Sequence, residues 1–476
     1  MFDKKGGNVL ASGGFGCVFS PALKCKNTAD ENKSIPSDKK MISKLMLKRH
    51  AVEEYEEITK IREKLKDIPN YQDYFLLENF STCQPGELTS SDLSNYTKKC
   101  KALKKRGIKK NNINKQLDKL LILNMPNGGI PVDDFIQKDG SFQKLIKVNE
   151  LLMELLENGI IPMNKQNVYH SDIKDSNVLI ESNNKDNKNN KDNKDNKDNK
   201  ENKETKMRLI DWGLSTEYTP FKDEPFPKTW RNRPLQYNLP FSIIIFTDDF
   251  VKKYTDYIEK GGKINKDDLR PFLLDYIYFW FKERGVGHYK IINEIMYILF
   301  SRELKNIHEE DKYKIIENEF TVSYIVNYIT EILIHYTKFR ENGNLNLRHY
   351  LDNVFVDIVD IWGFVSIYIP ILIIFDQNYE ELNNNQLEVF ELLKDILINH
   401  LYSPRIQPNN IEELLKDLRK LDKLLGLENK LKNIISDKKS LKKQVKNKTK
   451  KIVFEKSKTK TKRFKSFVLV SSKTKK

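Results

Sequence analysis

Cysteine is scarce in this chain. There are four, Cys17, Cys25, Cys83 and Cys100, with no C-x-x-C spacing among them. That pattern predicts neither a zinc module nor a disulfide framework, and it points to a reducing compartment. An N-terminal apolar run is also missing. The segment MFDKKGGNVLASGG does not read as a secretory signal, so a cytoplasmic protein is expected. Net charge is missing from the body as well. The 476 residues carry a formal +16, but Lys438 to Lys476 hold 17 basic residues and one acid, which is the whole excess. The high pI therefore describes a tail. Only one apolar run approaches membrane length, Ile358–Phe375, and Asp360 and Pro370 interrupt it. A buried core helix is the expectation there, with no membrane partner.

What is present suits a folded protein of more than one domain-sized unit: 39% hydrophobic and 11% aromatic residues. Residues 8–50 read as short strands broken by glycine and charge. Residues 51–66 read as a helix, with Ile58, Ile61 and Leu65 at helical spacing and Pro69 as its stop. Leu120–Leu123 reads as a strand and Phe142–Asn158 as a helix. Residues 185–205 are a KDN-type repeat with no apolar residue, which predicts a solvated insertion. Residues 243–357 are rich in aromatics, with three or more buried helices expected. The tail from 437 on is expected to be disordered.

Four segments carry chemistry. The first is Leu10-Ala11-Ser12-Gly13-Gly14-Phe15-Gly16-Cys17-Val18, a Gly-rich turn between strands, suited to exposing backbone N–H groups to phosphates. The second is Lys44, in an apolar strand where its charge needs a partner. Glu54, in register with Ile58 and Ile61, is the first choice on the following helix, and Glu57 the alternative. The third is His170-Ser171-Asp172-Ile173-Lys174-Asp175-Ser176-Asn177 before an apolar strand. The spacing places a proton acceptor, a cation and an amide oxygen close together. The fourth is Asp211-Trp212-Gly213, leaving a strand. Asp211 follows Asn177 by 34 residues, and without the 21-residue repeat only 13 remain, enough for one hairpin. Asn177 and Asp211 are thereby expected near one Mg²⁺.

In this order the segments resemble the eukaryotic-type protein kinases: Gly-rich loop, strand lysine, helix glutamate, the H-R-D-x-K-x-x-N loop and D-F-G. Asp360-Ile361-Trp362-Gly363 resembles the family's D-x-W helix, and Ser403–Pro408 its last arginine segment, with Arg405. The resemblance implies an α+β, two-lobed fold: a small lobe over 1–125, a larger lobe over 126–436 with a helical insertion at 243–357, and the tail 437–476. It implies ATP and Mg²⁺ as cofactors and protein serine or threonine as substrate. Asp172 would be the catalytic base and Lys174 would steady the moving phosphate. Asn177 and Asp211 would hold the metal, and Lys44, paired with Glu54, would hold the α- and β-phosphates. Leu123 would gate the pocket, with Asn124 and Met125 as the adenine-binding hinge. The KDN repeat, Ile68–Tyr71 and Arg233–Pro240 resemble the divergent kinases of giant DNA viruses, which would put the protein in host cytoplasm or in a virion.

The chain departs from the family in places. Ser171 stands where an arginine usually reads a phosphorylated loop, which implies activity that survives phosphatase treatment. Trp212 replaces phenylalanine and should still pack. No Ala-Pro-Glu follows Gly213. Three rival readings are a pseudokinase scaffold, a small-molecule phosphotransferase, and a binder of nucleic acid or acidic surfaces through 438–476, where Phe454, Phe464 and Phe467 stand among lysines. His170 is expected to pack structurally behind the metal-binding turn.

Overall fold

The N-terminal strands form where small and apolar residues alternate with polar ones. In a computed structural model of the protein, residues 7–26, 41–138, 141–181, 205–222, 225–336, 338–339, 345–403, 406–408 and 410–427 are described. Repeat residues 185–204, Arg405 and the tail 437–476 lie outside them. The architecture is α+β. The described residues fall into two compact units, one within 1–132 and 151–218 and the other within 133–150 and 219–427.

The first unit is built on a five-stranded antiparallel sheet: β1 (Asn8–Ser12), β2 (Gly16–Ser20), β3 (Met41–Leu47), β4 (Ser81–Cys83) and β5 (Leu120–Pro126), in the order β1-β2-β3-β5-β4. β1 and β2 are joined by a tight turn closed by Gly13 N–H donating to Gly16 O at 3.0 Å. Gly16 must be glycine, because a Cβ there would sit 2.2 Å from Met46 Cγ. Helix α1 (Lys48–Leu65) follows β3 directly and buries Ala51, Ile58, Ile61 and Leu65. Two further strand pairs shape the chemistry below. β6 (Ile130–Pro131), β8 (Val178–Glu181) and β9 (Lys206–Leu209) form one sheet, and β7 (Val168–Tyr169) pairs with β10 (Thr216–Glu217).

One face of the large sheet is covered by the segment between β4 and β5. Leu88, Leu93, Tyr96, Leu103 and Ile113 pack with Val9, Phe19, Leu45 and Ile122. The Tyr96 hydroxyl donates to Ile108 O at 2.8 Å. Here the sequence expectation fails. All four cysteines are paired, Cys17 with Cys100 and Cys25 with Cys83. Their partners are 83 and 58 residues apart, so chain spacing hid contacts that only folding creates. The reading of a reducing compartment loses its basis, and Cys17 is not a free thiol. Because the Cys17–Cys100 bridge closes a long loop, Cys100→Ser should cost about 3 kcal/mol. Thermal melts should show a drop of several degrees, and a larger one for the wild type under a dithiol, which opens both bridges. Identical melts in all samples would refute a stabilising bridge.

The second unit is mostly helical, as the pattern of residues 243–357 predicts. Helices Asp248–Glu259, Lys266–Arg284, Tyr289–Phe300 and Ser323–His335 occupy the 243–357 block. The Tyr328 hydroxyl, on the last of these, is 3.2 Å from that of Tyr350, which lies 2.9 Å from the Ser242 hydroxyl. The stretch Arg348–Gln377 is long and apolar enough to cross a membrane, yet 83% of its most apolar window is buried in the fold. Asp360 is fully buried there, and Trp362 Nε1–H donates to Tyr237 O at 3.0 Å. Asn149, also buried, donates to Asp422 at 2.8 Å and to Leu418 O at 2.9 Å, and accepts from the Tyr368 hydroxyl at 2.7 Å. The helix expected at 142–158 runs Phe142–Leu155 and continues as a π-turn at Leu156–Ile160.

Candidate active site

All four motif segments fall in the first unit. Lys44 sits mid-strand in β3, opposite Val18 of β2 and Leu123 of β5. Its ammonium donates to both carboxylate oxygens of Glu54, at 2.6 and 2.7 Å. Of the two glutamates open to the sequence reading, Glu54 takes the lysine. Glu57, one turn on, lies 3.3 Å from the Ser215 hydroxyl. Both members of the Lys44–Glu54 pair are nearly buried, at 12% and 13% exposure. Burial pushes the Glu54 carboxyl above its ordinary range, and Lys44 only partly opposes this. Asp211 approaches from the other side, with Oδ1 3.9 Å from Lys44 Nζ.

The Gly-rich turn borders Lys44, since a Cβ on Gly13 would lie 3.9 Å from Lys44 Cε. Leu10 and Phe15 are half-exposed, whereas Cys17 is buried. Ser12 does not direct its hydroxyl to solvent. It accepts from the backbone N–H groups of Lys101 and Ala102, at 3.1 and 3.0 Å, at the start of helix Lys101–Lys105. In β5, Leu123 is buried, and the Asn124 amide oxygen accepts from Ser43 at 2.6 Å. Asn124 Nδ2 faces the sulfurs of Cys25 and Cys83, at 3.8 and 3.6 Å. In the sheet Asn124 is paired with Ser43 of β3 and Ser81 of β4, and Met125 with Ile42 of β3.

The turn after β7 builds the second half. Asp172 is buried. Lys174 Nζ donates to its Oδ2 at 2.7 Å, and Asn177 Nδ2 donates to its carbonyl at 2.9 Å and to Oδ2 at 3.0 Å. This spends both Asn177 amide hydrogens on one residue and leaves Oδ1 as the side chain's acceptor for a cation. Ile210 N–H donates to Asn177 O at 3.0 Å, at the end of the β8–β9 ladder where Val178 faces Leu209. Asp211 follows at once. Its φ of +67° is in the left-handed region, as is that of Ser171 at +59°. Two non-glycine residues in strained conformations flank the cluster, a pattern common at working sites.

Buried aromatic rings meeting edge to face support the turn. The His170 and Trp212 rings are 4.8 Å apart, and Phe75 meets Trp212 at 5.5 Å. Trp212 is buried, so the larger ring packs where a phenylalanine was the family expectation. His170 Nε2–H donates to Ile210 O at 3.0 Å, which ties the Asp172 turn to the Asp211 strand end. Complete burial lowers the His170 pKa from 6.5. The unfolded chain then binds a proton that the native state refuses. His170 therefore contributes stability above pH 6.5 that is lost as pH falls below it. Denaturant unfolding at pH 7.5 and 5.5 should register this, and His170→Phe should flatten the dependence. An unchanged slope in the variant would assign the acid sensitivity to other groups.

Sequence reasoning missed several residues of this region. The two disulfides left no local signal. The use of Ser12 as a helix cap and the partners of Lys60 and Lys64 on α1 were equally hidden. A stripe of charge at 54, 57, 60 and 64 was the available hint for the latter. No protein-family model matches the chain, and no curated protein matches it in sequence.

Proposed function

We propose that the chain is a serine/threonine-protein kinase with a two-lobed kinase-like fold, of the divergent kind seen in giant DNA viruses. It would transfer the γ-phosphate of ATP to a protein hydroxyl. One observation carries the reading: a single compact unit brings Lys44–Glu54, the Asp172–Lys174–Asn177 cluster and Asp211 together, with Asp211 3.9 Å from Lys44. Few other reactions need a held lysine, a buried carboxylate with its own lysine, and two hard oxygen donors.

In this reading Asp172 accepts the proton of the attacking hydroxyl. Its Oδ2 is already held by Lys174 and Asn177, so its orientation costs nothing during reaction. Lys174 neutralises charge as the phosphoryl group moves. Lys44, fixed in place by Glu54, binds the phosphates, and the backbone of Gly13–Gly16 covers them. Asn177 and Asp211 fit Mg²⁺, which prefers oxygen donors and takes the rest of its shell from phosphate and water. Mg-ATP supplies the phosphoryl group and shields its charge.

The deciding experiment is transfer of labelled phosphate from Mg-ATP to basic and acidic protein acceptors, followed by phosphoamino-acid analysis. Label on serine or threonine supports the proposal. ATP binding without transfer would favour a scaffold, and label on a small acceptor alone would favour a small-molecule phosphotransferase. Salt-sensitive nucleic-acid binding that disappears on removal of 438–476 would give the tail its own role.

A further inference from the structure

The face of α1 that carries Glu54 does more than hold Lys44. Residues 54, 57, 60 and 64 recur at three- and four-residue intervals, so they form one stripe along the helix. Each meets a partner. Glu54 takes Lys44, and Glu57 meets Ser215 at 3.3 Å. Lys60 and Lys64 both reach the carboxylate of Glu217, at 3.0 and 3.4 Å. Glu217 is on β10, opposite Val168 of β7, and β7 leads straight into His170 and Asp172.

We propose that Glu217 is a positioning residue: with Lys60 and Lys64 it clamps the far half of α1, so that Glu54 stays on Lys44. The lever is long. Ten residues separate Glu54 from Lys64, about 15 Å of rigid helix, so a small tilt at one end moves the other by ångströms. A fixed carboxylate does here what a phosphorylated side chain would do by adding charge. That agrees with Ser171 standing where an arginine would be needed to read such a phosphate. The consequence for ATP rests on the kinase reading; the clamp itself does not.

Lys60 and Lys64 are 59% and 53% exposed, so neither contact is strong alone. Glu217→Gln should raise the KM for ATP about threefold, and Glu217→Lys, which sets three cations together, about tenfold or more, with smaller changes in kcat. The triple exchange Lys60→Glu/Lys64→Glu/Glu217→Lys should return KM to within about threefold of wild type. Hydrogen exchange of the α1 amides, measured without nucleotide, reads the clamp independently of activity. Faster exchange in Glu217→Lys, reversed in the triple exchange, supports it. Unchanged exchange, or loosening that the charge swap does not reverse, overturns it. A wild type without phosphate transfer would refute the kinase reading and leave the exchange arm to decide the clamp.

Discussion

Asp172→Asn should lower phosphate transfer from Mg-ATP to serine or threonine by about 10³-fold, within the range for loss of a general base. The change is nearly isosteric, so the effect isolates charge and proton affinity. Asp172 is buried and holds Lys174 at 2.7 Å and Asn177 at 3.0 Å. The amide can still accept from both, which keeps the turn in place. Lys174, 22% exposed, can also draw on water. Stability should therefore change little, and ATP affinity should stay within about threefold, because in the proposed mechanism Asp172 would hold the hydroxyl and not the nucleotide. Steady-state kinetics, a thermal melt and a nucleotide-binding titration check the three parts. A variant with wild-type turnover would remove Asp172 from the chemistry. A variant that lost ATP binding and turnover together would point to a collapsed site.

Lys44→Met should act on stability as well as on activity. It removes the ammonium that Glu54 holds with both oxygens and leaves a nearly buried carboxylate unpaired. The expected cost is about 3 kcal/mol near pH 8, the scale of breaking a buried pair. The loss should shrink on acidification. Burial already raises the Glu54 pKa above 4.5. The native state therefore binds the proton more tightly than the unfolded chain, and stability falls as pH rises from 4.5 towards the native pKa. Without Lys44 that window extends further upward. Urea unfolding of wild type and variant at pH 8 and pH 5 tests this. Equal losses at both pH values would mean that Lys44 stabilises by packing its alkyl chain, not by its charge.

Much of the site was legible because its signals are short-range. Asp172, Lys174 and Asn177 lie within six residues, and one turn suffices to bring them together. Asp211 was legible once the repeat was set aside, because the β8–β9 hairpin fixes its register to Asn177. Glu54 was narrower: helical periodicity left Glu54 and Glu57 open, and the approach of Lys44 from β3 chose between them. The buried character of Ile358–Phe375 was legible from the charge and proline inside it.

The sequence by itself determined the strand and helix pattern, the Gly-rich turn, the close spacing of Asp172, Lys174 and Asn177, and the aromatic helical block. Each follows from local periodicity or from backbone preferences of glycine and proline. Only the tertiary structure decided that Cys17 meets Cys100 and Cys25 meets Cys83, that Ser12 caps a helix 89 residues away, and that Lys60 and Lys64 share Glu217. These contacts join residues far apart in the chain. No local preference encodes them, because they exist only after the strands pair and α1 packs on the segment that follows Asp211.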